Sequence, residues 1–429
     1  MSLLKQCQRV LEQNWKGKFT IPSPRLYPFQ WNWDSGFIAL GNLHTNPEHA
    51  ILEMETLFTG QWKNGFLPHI IFYEADKYSS YFPSADFWNS SVSSCSPESV
   101  KTSGITQPPV HGFVLEALFN YGFGDERITN LFKKIFDYHK YLYNYREYNN
   151  SGLVAIWHNW ESGMDNSVWW DNILEGINEE TVENIELHRK DVMEVSESNY
   201  TRPKNLDYKR YLYLIGKLRS NNYDRLPDDY PFQILDPVFN AILIRSNESL
   251  IKIGNKLGQD TTFLQSKMQK GIKSFSEYLW DNNAAIYFPF DIVLKSQIKK
   301  HCSGSYVPLF AGIPSYADAE KLVDNWGKYS NIVMLPSCFP DENGFERKNY
   351  WRGPVWVNIN WMIWKGLLQY KMYELAEKIR NETISLVEKF GIYEYFDPFK
   401  DTKATIGYGG KDFSWTASLI IDMLRNKKT

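Results

Sequence analysis

Pro108-Pro109-Val110-His111-Gly112-Phe113-Val114-Leu115-Glu116-Ala117-Leu118 sets apolar side chains at Val110, Phe113, Val114, Ala117 and Leu118. Intervals of three and four repeat the turn of an α-helix, and the prolines stand where a first turn tolerates them. The same spacing recurs over 128–145, 206–218, 237–257, 262–280, 317–326, 357–370, 373–390 and 413–424. These stretches have ordinary helix lengths, and clear period-two strand patterns are scarce. The expected class is therefore all-α. A doubly wound or (β/α)8 sheet is excluded, leaving a bundle, a solenoid or a toroid of paired helices. No fixed internal period favours the solenoid. No long Pro/Gly/Ser linker divides residues 1–429, so one domain is expected. Two long loops stand out: a serine-rich one near 74–107, suited to a lid over a pocket, and another near 157–199.

The 429 residues are 43% hydrophobic and 23% charged, enough apolar material for a large core. A net charge of −3 and the lack of a basic stripe with interleaved aromatics argue against nucleic acid as a partner. Neither a secretory h-region nor a membrane-length apolar run occurs, so no membrane association and a cytoplasmic location are expected. Cys7, Cys95, Cys302 and Cys338 are far apart in sequence, with neither zinc-ligand nor disulfide-framework spacing. No cofactor or metal is called for: GxSxG, P-loop, GxGxxG and HExxH patterns are all missing. A homo-oligomer is left open.

Aromatics make up 16% of the chain, including 16 Trp, more than a core alone normally uses. They flank acids repeatedly: Trp31-Asn32-Trp33-Asp34, Trp160-Glu161-Ser162-Gly163-Met164-Asp165, Trp169-Trp170-Asp171 and Tyr393-Glu394-Tyr395-Phe396-Asp397. Apolar sugar faces stack on such rings, sugar hydroxyls need acceptors, and glycosidic cleavage needs two carboxyl groups on opposite sides. A small sugar is therefore the expected substrate. Residues alone leave the roles open. Asp165 competes with Glu161 four residues earlier, and Glu394 competes with Asp397.

In order along nearly the whole chain, Tyr27-Pro28-Phe29-Gln30-Trp31-Asn32-Trp33-Asp34, Thr106-Gln107-Pro108-Pro109, Trp160 to Asn166, Tyr350-Trp351-Arg352-Gly353-Pro354-Val355-Trp356, and Glu394 to Pro398 with Phe413-Ser414-Trp415-Thr416-Ala417 resemble glycoside hydrolase family 63. The short length looks most like the family's mannosylglycerate and glucosylglycerate hydrolases. The resemblance implies an (α/α)6 barrel of six inner and six outer helices, and hydrolysis of an α-glycoside with inversion. It gives Asp165 the role of general acid and Glu394 that of general base. Asp34 would hold the sugar, and Tyr27, Trp31, Trp33, Gln107, Trp160, Gly163, Tyr350, Trp351 and Trp356 would form or shape the walls. Arg202 and Tyr208 resemble the pair that grips glycerate. Trp160, Met164, Trp169 and Trp170 are expected as the apolar wall that raises the acid's pKa, with His158 as a brace. Arg352 is expected in a structural salt bridge. One departure bears on the acceptor side: around Gly407-Tyr408-Gly409-Gly410-Lys411-Asp412 the related enzymes tend to place a substrate-contacting Gln, and here Gly, Lys and Asp stand instead. The resulting expectation is hydrolysis of mannosylglycerate or glucosylglycerate. A hydrolase of neutral disaccharides, trehalase-like, and a catalytically silent sugar-binding protein are the alternatives.

Overall fold

The computed structural model describes residues 1–189, 191–192, 201–327, 329, 332, 334–399 and 407–426. Its longer helices, in chain order, are α1 (Leu3–Asn14), α2 (Asn32–Asn42), α3 (Pro47–Leu57), α4 (His111–Tyr121), α5 (Asp125–Arg146), α6 (Asn205–Ser220), α7 (Pro237–Lys256), α8 (Thr262–Tyr278), α9 (Tyr316–Gly327), α10 (Val357–Gln369), α11 (Tyr373–Phe390) and α12 (Ser414–Arg425). A 3₁₀ helix, Ser303–Ala311, lies between α8 and α9.

Local chemistry sets several of the boundaries. Asp236 caps α7 by accepting from the N–H groups of Val238 and Phe239, with Pro237 in the first turn. The helix after Pro108-Pro109 begins only at His111. Both prolines precede it in a turn closed by the Val110 N–H on the Pro108 carbonyl, not in the first helical turn as the sequence suggested.

Helix contacts close into a ring: α2 touches α4, α4 touches α7, α7 touches the Ser303–Ala311 helix, this touches α10, α10 touches α12, and α12 returns to α2. The closing seam is tight. Ser418 Oγ donates to the Phe37 carbonyl at 2.6 Å and accepts from the Gly41 N–H at 2.7 Å. Outside the ring, α1 packs on α12, α3 on α2 and α4, α5 on α4 and α7, α8 on α7, α9 on the 3₁₀ helix, and α11 on α10 and α12.

Burial follows this division. Every residue of α2 is buried, as a helix surrounded by others requires, whereas α8 buries only Leu264, Gly271, Ser274 and Phe275. The outer helices therefore carry the legible amphipathic stripe.

Strands are short. Gln30–Trp31 pairs with Ile70–Ile71, and Tyr393–Phe396 pairs with Gly407–Lys411, both antiparallel. These ribbons and the long loops gather where α2, α10 and α12 begin, so Trp31, Trp33, Asp34, Trp351, Phe413 and Trp415 meet at one end of the ring. Among the described residues no helix is long and apolar enough to cross a membrane.

Candidate active site

A cavity at this end is walled by Tyr27, Trp31, Trp33, Gln107, Trp160, Gly163, Tyr208, Tyr350 and Trp351, and Asp34, Asp165, Arg202 and Glu394 face it. Five sequence motifs spread from Tyr27 to Glu394 thus converge on one space.

Asp165 follows the single 3₁₀ turn Asn159–Ser162, whose backbone reverses at Gly163 in the left-handed region. A side chain at Gly163 would strike the Trp33 indole, at 2.4 Å from its nearest carbon, so this turn needs glycine both for its φ and for the ring beside it. Asn159 Nδ2 donates to the Asp165 carbonyl at 2.7 Å and fixes the loop. The half-buried Asp165 carboxyl is pushed up to about 8, first by desolvation and then by the negative charge of Glu394; Arg202 and a hydrogen bond from Tyr350 oppose the shift. Desolvation and the neighbouring negative charge thus favour its neutral carboxylic acid form.

Of the expected apolar wall, only Trp160 lines the cavity. Trp169 sends its Nε1–H to the Lys300 carbonyl and Trp170 to the Met164 carbonyl, so both rings serve the packing behind the loop. His158 does not brace Asp165: its Nε2 meets the Tyr211 carbonyl and its Nδ1 accepts from the Trp160 N–H.

Glu394 sits in the Tyr393–Phe396 strand and is buried. Three donors hold its carboxylate, each at 2.8 Å: Tyr27 Oη on Oε1, and Arg202 Nη2 and the Gly410 N–H on Oε2. The Arg202 guanidinium also donates to Tyr27 Oη and lies over the Tyr350 ring, 4.7 Å from its centroid. Charge-assisted hydrogen bonds of this kind fix orientation as well as energy.

Both rival carboxylates are occupied elsewhere. Glu161, fully buried, pairs with Arg146 at 2.6 Å and accepts from the N–H groups of Trp157 and Thr106, stapling the Asp165 loop to the segment that carries Gln107. Asp397 accepts from Arg347 Nε at 2.7 Å and caps the Phe399 N–H. Neither lines the cavity.

Asp34, in the first turn of α2, is pushed up by burial and by the charges of Glu394 and Asp165. Gln107 Oε1 accepts from the Trp33 N–H at 3.3 Å, locking the wall to the helix start. Trp356 is a correction to the expected site. Its indole stacks flat under Trp351, with centroids 3.7 Å apart and 3° between planes, and against Tyr395, so it supports the wall from behind and does not line it. Arg352 makes its expected salt bridge, two-pronged to Asp171 at 2.6 and 2.9 Å.

The structure adds residues that the motifs did not single out. Tyr81, Phe82 and Trp88 from the serine-rich stretch line the cavity, as do His69 and Asp191, while Phe413 and Trp415 come to it from the motif that follows Glu394. The stretch presents aromatics to the site, while its serines hold the loop. Ser84 accepts from the Phe87 N–H, and Ser103 Oγ bonds His69 Nδ1. Its aromatic content was the available signal, masked by the count of serines. The second long loop is broken into short turns up to Val182, and positions 190 and 193–199 of it lie outside the described residues. Among the described residues no cluster of His, Cys, Asp and Glu is placed to hold a metal ion.

A family described as the mannosylglycerate hydrolase MGH1-like glycoside hydrolase domain matches residues 27–416. This chain belongs to that family. It is thus a glycoside hydrolase of family 63. It is 36% identical to a mannosylglycerate hydrolase of Rubrobacter radiotolerans over 98% of this chain and 96% of that protein. It is 28% identical to a glucosylglycerate hydrolase of Mycolicibacterium hassiacum over 97% and 96%, respectively. The crystal structure of the family 63 mannosylglycerate hydrolase from Thermus thermophilus in complex with Tris and D-glycerate superposes with a TM-score of 0.89 at 38% identity, covering 98% of this chain and 99% of that one.

Proposed function

We propose that this glycoside hydrolase cleaves mannosylglycerate or glucosylglycerate to hexose and glycerate, inverting the anomeric carbon, in the cytoplasm. The ring of α2, α4, α7, the Ser303–Ala311 helix, α10 and α12 inside the shell of α1, α3, α5, α8, α9 and α11 is read as an (α/α)6 barrel forming a single catalytic domain. The observation that carries the chemistry is a pair of unlike carboxyl groups in one aromatic-walled cavity: Asp165 raised to about 8, and Glu394 clamped by Arg202, Tyr27 and a backbone N–H.

In this reading Asp165 gives its proton to the glycosidic oxygen as the C1–O bond breaks. Glu394 takes a proton from the water that attacks C1 on the opposite face. The sugar stacks against the Trp walls, and Asp34 meets its hydroxyls. Arg202 has five N–H donors, of which Glu394 and Tyr27 engage two, so the same guanidinium serves the base and an anionic leaving group. The family context supports the same substrates: relatives named for both sugars cover nearly this entire chain.

Purified protein is incubated with mannosylglycerate, glucosylglycerate, trehalose, nigerose and kojibiose, and the first-formed sugar is followed by proton NMR. Turnover of a glycerate glycoside with release of the β-anomer is expected. Turnover of neutral disaccharides alone overturns the substrate assignment, and an α-anomer as first product overturns inversion.

A further inference from the structure

The strand facing the base is irregular at one place. Tyr408 pairs with Tyr395 and Lys411 with Tyr393, so Gly409 and Gly410 together oppose the single residue Glu394. Two residues against one is a β-bulge, and here its first residue is glycine in the left-handed region, with φ of 74°. The bulge takes the Gly410 N–H out of the strand ladder and directs it to Glu394 Oε2 at 2.8 Å.

The space around Gly409 shows how closely the two fit. A Cβ on Gly409 would lie 2.2 Å from Glu394 Oε2, 2.9 Å from Glu394 Cβ and 2.6 Å from a Tyr395 ring carbon. No side chain fits there unless the Glu394 carboxylate moves. The opposite edge of the base strand is held as well: Val355 and Phe396 exchange both N–H···O bonds, and Thr416 Oγ1 donates to the Tyr393 carbonyl. Pressure from position 409 therefore falls on the Glu394 side chain, its carboxylate first, and on the buried Tyr395 ring beside it.

We infer that the Gly409–Gly410 bulge is a positioning element for Glu394, using a bare backbone donor and a missing side chain to set where the base carboxylate stands. This deepens the functional reading above and rests on Glu394 being the base. It also gives a physical role to glycines at the point where the sequence departs from the expected glutamine.

The test uses Gly409→Ala and Gly409→Asn in the full chain. Asn tolerates left-handed backbone, so it separates the intruding Cβ from backbone strain. The substrate is the α-mannosyl or α-glucosyl fluoride that the wild type hydrolyses, because fluoride leaves without protonation and the reaction reports on the base. Both variants are expected to melt within a few degrees of the wild type, to keep KM within about threefold, and to lose about 100-fold in kcat, the low end of what a general base contributes. Sodium azide should restore turnover: its nitrogen bonds to C1 as the C1–F bond breaks, giving the β-glycosyl azide and fluoride ion without any proton transfer. Wild-type kcat in a folded variant, or a loss in Gly409→Asn that azide leaves untouched, overturns the inference. A wild type that hydrolyses neither fluoride nor glycerate glycosides instead overturns the functional reading beneath it.

Discussion

Asp165→Asn should stabilise the protein while removing its activity on glycerate glycosides. The Asp165 carboxyl is raised from 3.8 to about 8, so between these values the folded chain holds a proton that the unfolded chain has released. Stability falls with rising pH wherever the native state binds more protons, by roughly 1.4 kcal/mol per unit for one fully affected group. Across the window of roughly four units the ceiling is about 6 kcal/mol. Asp165 is only half-buried, and solvent relaxation lowers the effect to about 2 kcal/mol. Asn carries no such cost. For a chain of this length about 2 kcal/mol corresponds to a melting-point gain of about 2 °C. Thermal melts of both proteins at half-unit steps from pH 4.5 to 8.5 should show the variant's advantage widening as pH rises to about 8, then levelling off. In parallel, wild-type kcat/KM on a glycerate glycoside should fall as pH passes about 8, because the acid is lost there. A constant gap in melting point, or activity already falling near pH 5, would refute the assignment of a protonated Asp165.

Glu394→Gln should cost about 10²–10⁴ in kcat on both the glycerate glycoside and the α-glycosyl fluoride, whereas Asp165→Asn should keep most of its fluoride activity. Initial rates on the two substrates decide this, and equal losses in both variants contradict the division of roles. Arg202→Gln removes a positive charge that holds the Asp165 pKa down, so the alkaline fall in kcat/KM should move upward; KM for the glycerate glycoside should rise more than KM for the fluoride. A downward move contradicts the electrostatics. Glu161→Gln leaves Arg146 buried without its ion-pair partner and should destabilise by about 3–5 kcal/mol in urea titration. A loss below about 1 kcal/mol would show that the Glu161 staple carries little.

The outer helices α5, α8, α9 and α11 were legible because amphipathic helices advertise themselves, whereas α1 and α3 are not among the stretches the spacing marks as helical. The stretches 262–280 and 373–390 were read within two residues of α8 and α11. Two members of the ring were not. In α2 every position is buried, so apolar and small polar residues mix without a stripe, and Asn32 to Asp34 read as a sugar motif before they read as a helix start. The Ser303–Ala311 helix contains Pro308 and turns with a period nearer three than 3.6, so the α-helical template misses it. Aromatic acids flagged the site, but Trp-Asp adjacency could not separate Asp165 from Glu161. That division depends on Arg146, 15 residues upstream, and on two N–H groups that only the folded loop brings within reach. Trp356 failed for a related reason: position in a motif does not distinguish a ring in the wall from one stacked behind it.

The two carboxyl groups that act as acid and base in the proposed reaction are held by opposite means, and this has a consequence for its cycle. Desolvation keeps Asp165 neutral, while Glu394 faces a guanidinium, a phenol and a backbone N–H, all of them donors to a carboxylate. One turnover reverses both: Asp165 is left charged in a place that resists charge, and Glu394 takes a proton opposite three donors. Arg202 then faces a neutral group on the base side and an anionic glycerate on the other in the proposed reaction. The guanidinium is drawn toward the departing acid until Glu394 loses its proton, when the ion pair at 2.8 Å can re-form. In the proposed reaction, restoring the starting state would thus couple proton exchange to glycerate release through one side chain. The Arg202→Gln protein should consequently release glycerate faster than it recovers the protonated acid, giving a kcat less sensitive to added glycerate than in the wild type. Product inhibition measured at pH 6 and 8 checks this; glycerate inhibition unchanged by Arg202→Gln at both values would remove Arg202 from the cycle and leave it as a support for Glu394 alone.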